Sequence, residues 1–434
     1  MAVLLLLALM LGDDNWPAFL GAGAAPLSSK SVPQQWSPEK NIAWKVPLMG
    51  HGQSSPIVWN GHIYVTAIDG PKKEQCLVFC YDLASGNLVW KVSLASSDPV
   101  ENSLYVSRAA PTPTADEHGL YVFFESGDVV ALSHDGKELW KRSLSQEYGK
   151  FQNKFGIGSS PAQTTEGLFI LVDDEGPSFL VALDKKTGKN LWKQERTARK
   201  SWSSPAIIQL AGKPCVVVSS DGSVDGYAAD SGELLWSFTD VGGNTGTTPI
   251  DLGAGKFLVA ASAGRDGGSP LAKKSNLLMQ VKQQDSKWVP SPLWISSEAS
   301  PSWASPIAHA GCAYWINSQG VVFCHDLESG KLHYSKRTKQ SCWATPVAVE
   351  DRIYFFGKDG TTTILKAGPE FEVIAENQLW DPDAVQPDPN AGANEPTEER
   401  RRAAAMFAKP TVYGVAISRG AIVVRTGTQM FCIK

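Results

Sequence analysis

The sequence predicts an all-β fold, an eight-bladed β-propeller of four-stranded antiparallel blades closed by its N-terminal strand. Three observations predict it: a small-small-proline step that recurs along the whole chain, a short aliphatic and aromatic strand after each copy, and a turn-plus-tryptophan string between copies. Composition agrees. A chain of 434 residues with 43% hydrophobic content can bury a large core, and 39 glycines, 27 prolines and 15 tryptophans suit short strands and tight turns better than long helices.

The steps are Ser54-Ser55-Pro56, Ser159-Ser160-Pro161, Ser203-Ser204-Pro205, Thr247-Thr248-Pro249, Ala304-Ser305-Pro306 and Ala344-Thr345-Pro346, with weaker copies at Thr112-Pro113 and Lys409-Pro410. Each leads into a β-branched and aromatic run such as Ile63-Tyr64-Val65, Leu168-Phe169-Ile170 or Ile353-Tyr354-Phe355, the composition of a short strand bounded by turns.

The third element is sharpest over residues 182–192, where a strand ends at Asp184, Thr187-Gly188 closes a turn, and a new strand carries Trp192. The spacing returns with Asp82, Ser85, Gly86 and Trp90, and again with Asp326, Ser329, Gly330 and Tyr334. Asp and Ser or Thr oxygens accept turn N–H groups, glycine takes the left-handed conformation, and the ring is expected to pack between neighbouring sheets. Degenerate copies end at Trp140 and Trp236.

Inner strands are expected near each step proline. Outer strands are expected at Trp44, Trp90, Trp140, Trp192, Trp236, Trp294, Tyr334 and the run Phe371-Glu372-Val373-Ile374-Ala375, with Trp380 a coincidence in the following loop. An outer strand therefore precedes the first inner one, and none follows the last. The strand Ala43-Trp44-Lys45-Val46 must complete the eighth blade, which leaves no open edge in the ring. One propeller is expected over residues 13–434.

Proline-to-proline repeat lengths of 57, 48, 44, 44, 57, 40 and 64 residues put insertions in the first, fifth and seventh repeats, where propellers carry function. The longest, residues 381–409, opens as a Pro- and Asp-rich linker and ends in a segment expected to be a short helix starting near Pro396-Thr397; a solvated spacer is its plain reading.

The apolar run Met1-Ala2-Val3-Leu4-Leu5-Leu6-Leu7-Ala8-Leu9-Met10-Leu11 has the length of a signal-peptide core and is too short to span a bilayer, although no Lys or Arg precedes it. The expectation is an exported protein, periplasmic or secreted and soluble, with no transmembrane segment. No cysteine follows the run to accept a lipid, so no anchor is expected. The balance of 40 basic against 44 acidic residues, without a long single-sign block, excludes nucleic acid as an expected partner. Seven cysteines are few and odd in number, so disulfides do not frame the fold. Cys312 and Cys324 flank a short turn and could face one another, but buried free thiols are the commoner state.

The string at residues 182–192 resembles the tryptophan-docking motif of the pyrroloquinoline-quinone (PQQ) propeller repeats, found in quinoprotein dehydrogenases and in the outer-membrane assembly lipoprotein BamB. The opening Asn15-Trp16-Pro17-Ala18-Phe19-Leu20-Gly21 and the closing segment, residues 416–427, resemble PQQ-like propellers common in planctomycete-type bacteria. The resemblance spans roughly residues 15–434 and implies one of two roles. The dehydrogenases hold the quinone against a Trp and a disulfide of adjacent cysteines, beside a divalent cation and an acid residue. This sequence has no adjacent cysteine pair and no matching cation triad, so neither PQQ nor a metal is expected. No G-x-S-x-G elbow, Walker loop or His-x-x-x-His pair suggests other catalysis.

One constellation remains. Large rings stand three residues before the step proline at Trp202, Trp303, Trp343 and Phe407, and equivalent positions of successive blades lie at one height around the axis. They are expected near one mouth of the channel, with Arg108, Lys200, Arg265 and Arg425 as candidate polar contacts, and packing between blades is the competing reading. The expected function is a non-catalytic, monomeric scaffold that binds an envelope protein or polymer, with BamB as nearest analogue. A PQQ-dependent oxidoreductase or a carbohydrate-binding propeller is the alternative.

Overall fold

The computed structural model of the protein describes residues 15–21, 32–104, 106–262, 264, 269–389, 391–393 and 395–434. The run expected to be a signal-peptide core, and Arg265 among the candidate contacts, lie outside them.

The described residues form eight four-stranded antiparallel sheets. In seven of them the four strands follow chain order from the axis outward, as in Ile57–Trp59, His62–Asp69, Gln75–Asp82 and Leu88–Ala95 of blade one. The eighth is made of Gly414–Ser418, Ala421–Arg425 and Gln429–Ile433, and its outer strand is Ile42–Pro47. Trp44 faces Cys432 and Val46 faces Met430, so the first strand is locked into the last blade. No helix among the described residues is long and apolar enough to cross a membrane.

Burial follows position in the blade. Second and third strands such as Gly119–Phe123 and Asp128–Leu132 are buried throughout, because both faces pack on neighbouring blades. Outer strands alternate, as Leu88–Ala95 does, one face on the next blade and one in solvent.

The blade-to-blade seams use the docking string. Trp90 stands over Gly136 of the next blade, Trp140 over Gly188, Trp192 over Gly232, Trp294 over Gly330, and Trp44 over Gly86 across the closure. Each indole Nε1–H donates to a carbonyl just before that glycine, two residues before it at His134 (2.9 Å) and three before it at Leu83 (3.1 Å), Lys185 (2.8 Å), Ala229 (2.9 Å) and Leu327 (2.9 Å). A side chain on Gly188 would bring a Cβ 2.7 Å from the Trp140 ring, and its φ of +70° is the left-handed region, so glycine is required twice over. The glycine and the tryptophan of one string thus serve opposite seams.

Three seams depart from this plan. Blade five has a long hairpin, Asn276–Gln284 and Lys287–Ser296, in place of the docking turn, so Trp236 stacks on Phe257 (5.8 Å between ring centres) and its Nε1 finds no carbonyl among the described residues, only the Cys215 thiol nearby. Tyr334 meets Phe371 edge-on at 5.4 Å. In blade seven the last strand is Val373–Gln378, with Ala375 at the tryptophan position, and Trp380 fills the seam against Phe431 at 5.7 Å. Trp380 is therefore part of the packing and not a coincidence.

The small-small-proline step closes the ring from inside. The N–H of the residue before each proline donates to the hydroxyl at the same place in the next blade. The series runs from Ser55 to Thr112, Ser160, Ser204, Thr248, Ser305 and Thr345, at 2.9–3.2 Å. In blade eight the inner strand is Gly414–Ser418, so the matching step is Tyr413-Gly414-Val415 and not Lys409-Pro410. Gly414 has no hydroxyl, and a Cβ there would strike Ser55. Arg425 ties this last seam instead, its guanidinium donating to Ser54 O at 3.0 Å, to Ser54 Oγ and to Thr66 O.

Candidate functional site

The connections that lead from one blade's outer strand to the next blade's inner strand all emerge on one face. Three of them bring large rings together. Trp303 and Trp343, in the connections into blades six and seven, stack nearly parallel with ring centres 5.1 Å apart and 16° between planes. Phe407, from the seventh-repeat insertion, meets Trp343 edge-on at 6.1 Å, and Tyr413 does the same at 5.7 Å from the other side. Trp303 is 36% exposed, large for a tryptophan without a partner chain.

A hairpin of blade seven adds a cation. Lys358 follows the strand Arg352–Phe356, and its Nζ lies 4.9 Å from the centre of the Trp303 ring, 5.7 Å from Trp343 and 5.6 Å from Phe407. An ammonium over three ring faces is held by their quadrupoles, and Lys358 also orders the rings it touches. Nothing in the repeat pattern singles out Lys358. The signal is spatial, since its hairpin and the connection before it belong to neighbouring turns of the same face.

The insertion that supplies Phe407 is tied down at its far end. Its helix (Glu398–Ala405) is capped by Thr397, whose side chain accepts from Arg400 N at 3.2 Å, with Glu398 and Glu399 in the first turn. Glu395 pairs with Arg400 at 2.8 Å and accepts a hydrogen bond from Ser103, and Arg400 reaches Glu101 at 3.7 Å. The insertion between blades seven and eight is thus fastened to the connection between blades one and two. A free solvated spacer has no such fastening.

The remaining candidates separate. Trp202 packs on Phe155 at 6.0 Å and donates its Nε1–H to Gly156 O at 2.9 Å, away from the Trp303 group. Lys200 is exposed and paired with Glu175 at 2.9 Å. Arg425 is wholly buried, and burial pushes its pKa down to about 9. Arg108 is also buried, beside Tyr413. His51, which sequence reasoning passed over, sits edge-on to Tyr413 at 6.2 Å, and burial, then Arg108 and Arg425, hold its imidazole well below the usual range.

Four described cysteines, Cys76, Cys80, Cys312 and Cys324, lie in strands of blades one and six, and all seven in the chain are free and buried. The dehydrogenases' quinone seat, a Trp facing a disulfide of adjacent cysteines, has no counterpart in this sequence, where no two cysteines are adjacent. Trp303 and Trp343 stack on one another at 5.1 Å, with no room for a planar ring between them. A ring inserted between them needs roughly 7 Å, two van der Waals contacts.

Comparison with known proteins finds relatives of more than one kind. A family model described as outer membrane protein assembly factor BamB matches residues 36–155 and 134–272, together more than half of the chain. The BamB protein of Alkalilimnicola ehrlichii is 23% identical over 192 residues, 44% of this chain and 44% of its own. The quinohemoprotein alcohol dehydrogenase ADH IIB of Pseudomonas putida is 25% identical over 197 residues, 43% of this chain and 26% of its own. The matched region is less than half the length of either relative. The crystal structure of BamB from Moraxella catarrhalis superposes with a TM-score of 0.59 at 13% identity, covering 91% of this chain and 97% of that one, which shows a shared fold.

Proposed function

The chain belongs to the family of outer membrane protein assembly factor BamB, and from that premise we propose that it is a non-catalytic scaffold, exported to the periplasm or beyond as a monomer, that binds an envelope protein or polymer. The binding surface is the face where Trp303, Trp343 and Phe407 meet. The observation that carries the reading is the exposed, stacked pair Trp303 and Trp343, with Lys358 beside it. Rigid aromatic anchors lose little entropy on binding and dominate contact energetics. These anchors are held by separate blades and by an insertion fastened across the ring, so the surface is preorganised.

The test is capture from the envelope fraction with wild type and with a Trp303→Ala/Trp343→Ala variant, both checked for folding. An outer-membrane protein, a component of its assembly apparatus or an envelope polymer is expected to bind wild type, and the variant is expected to bind it about tenfold more weakly or worse, from the loss of two central anchors. Undiminished capture by the folded variant would end the reading.

The second reading, a quinoprotein-type oxidoreductase, draws on the ADH IIB similarity. PQQ added with calcium should quench tryptophan fluorescence strongly if a quinone stacks in the funnel, and the scaffold reading expects no saturable quenching. A glycan array separates polymer from protein, because indole faces also stack on sugars.

A further inference from the structure

Beside the aromatic face lies a cluster of two buried guanidinium groups and an imidazole that the protein's own acids do not complete. Arg108 is 6% exposed and Arg425 is 0% exposed. Arg108 Nε and Nη2, Arg425 Nε and His51 Nδ1 are all buried without a hydrogen-bond partner among the described residues. Buried donors are almost always paired, and buried guanidinium groups more strictly than most, because each loses its hydration without replacement. Three unpaired guanidinium nitrogens in one place, with an unpaired imidazole nitrogen beside them, are not ordinary packing.

The nearby acids are already committed. Glu125 accepts from Ala109 N through both oxygens at 3.0 Å and pairs with the buried Lys73 at 3.3 Å. Glu395 is taken by Arg400 and Ser103. Arg425 spends two nitrogens on Ser54 and Thr66, and no carboxylate among the described residues pairs with it. The backbone makes room for these groups: a side chain at position 52 would collide with Arg425, and one at position 427 with the His51 ring. His51 itself is only half-buried, so one edge of the cluster reaches solvent.

We propose that Arg108, with His51 and Tyr413 beside it and Arg425 behind, forms a binding site for an oxyanion group, a carboxylate or a phosphate, reached from solvent past His51. A guanidinium offers two parallel N–H groups to such a group, and a charge-assisted pair made out of water is worth more than its exposed counterpart. The site does not rest on the scaffold reading. Tyr413 touches both Trp343 and His51, so the two surfaces are neighbours, but no residue of the Trp303 stack supplies a donor here.

The full chain is titrated with inorganic phosphate and, separately, with malonate, each at an ionic strength held constant with sodium chloride, while the thermal midpoint and hydrogen exchange over residues 51–54 and 106–109 are followed. A saturable rise in midpoint with slowed exchange at those amides is expected for at least one probe. Phosphate alone, malonate alone or both identifies the class of oxyanion. Arg108→Met keeps the volume, removes the orphaned donors and is expected to weaken the response about tenfold or more, whereas Trp303→Ala keeps it. A response that grows linearly without saturating, that is absent for both probes, or that survives unchanged in a folded Arg108→Met variant overturns the assignment. Should Arg108→Met not fold, the exchange data on the wild-type chain decide alone: no slowing at residues 51–54 and 106–109 overturns it.

Discussion

A tryptophan buried between two blades carries a single polar atom, and the fate of that atom sets what the residue contributes. Trp192 donates to Ala229 O at 2.9 Å, whereas Trp236 is equally buried but among the described residues its Nε1 has only the weakly accepting Cys215 thiol near it. Replacing each by Phe removes similar ring volume, so the difference isolates the hydrogen bond. Trp192→Phe is expected to cost about 1 kcal/mol more than Trp236→Phe in denaturant unfolding, and equal losses would contradict the seam geometry. Glycine gives a second contrast. Gly188 and Gly212 both have left-handed φ, +70° and +78°, but only Gly188 faces a ring while Gly212 has open space. Gly188→Ala should therefore destabilise by roughly 1 kcal/mol or more beyond Gly212→Ala, read from the same unfolding curves. At this scale the sequence identified the docking residues Asp82, Gly86, Asp184, Gly188, Asp326 and Gly330 by spacing. Spacing did not say that each glycine serves the neighbouring blade's tryptophan, because contacts across a seam leave no fixed interval in one string.

The docking turn is the element that repeats with least change, and its chemistry gives it a pH limit. In Asp82 and Asp326 the hydrogen bonds from Ser85 and Ser329, hydroxyl first and then backbone N–H, hold the carboxyl below its ordinary 3.8. A folded-state pKa below the unfolded one favours folding above about pH 4, and that contribution is lost as pH falls through the folded value. The unfolding midpoint should therefore be insensitive to these turns above pH 4 and fall below it, and an Asp82→Asn/Asp326→Asn variant should show a shallower acid fall. An unchanged slope would mean that the turns do not titrate with unfolding. Strand positions were largely legible from the alternation of step, strand and turn. The eighth inner strand was misplaced by the chance Lys409-Pro410, since Gly414 carries neither the hydroxyl nor the proline that mark the other steps. The role of those hydroxyls, each accepting from the blade before, follows only from closing the ring.

The whole molecule depends on closure. The outer strand of blade eight comes from the start of the chain, and Trp44 with its bond to Leu83 belongs to that strand. A variant lacking residues through Pro47 exposes the edge of Gln429–Ile433 and should lose cooperative unfolding or aggregate, whereas an intact, equally cooperative transition would deny the latch. Closure was readable in advance because strands had to be counted in fours. The candidate site was readable only in part: Trp303, Trp343 and Phe407 do meet, but Trp202, Lys200 and Arg425 are drawn elsewhere by local partners, and Lys358 and His51 enter from hairpins and turns that carry no periodic mark. The proposal that the Trp303 face is the working surface is tested most directly by placing a photo-crosslinking residue at position 303 and, as a control, at the exposed perimeter position Leu191, in cells of the source organism. The scaffold account predicts a defined envelope adduct from position 303 and none from position 191. Adducts only from position 191, or from neither, would contradict it.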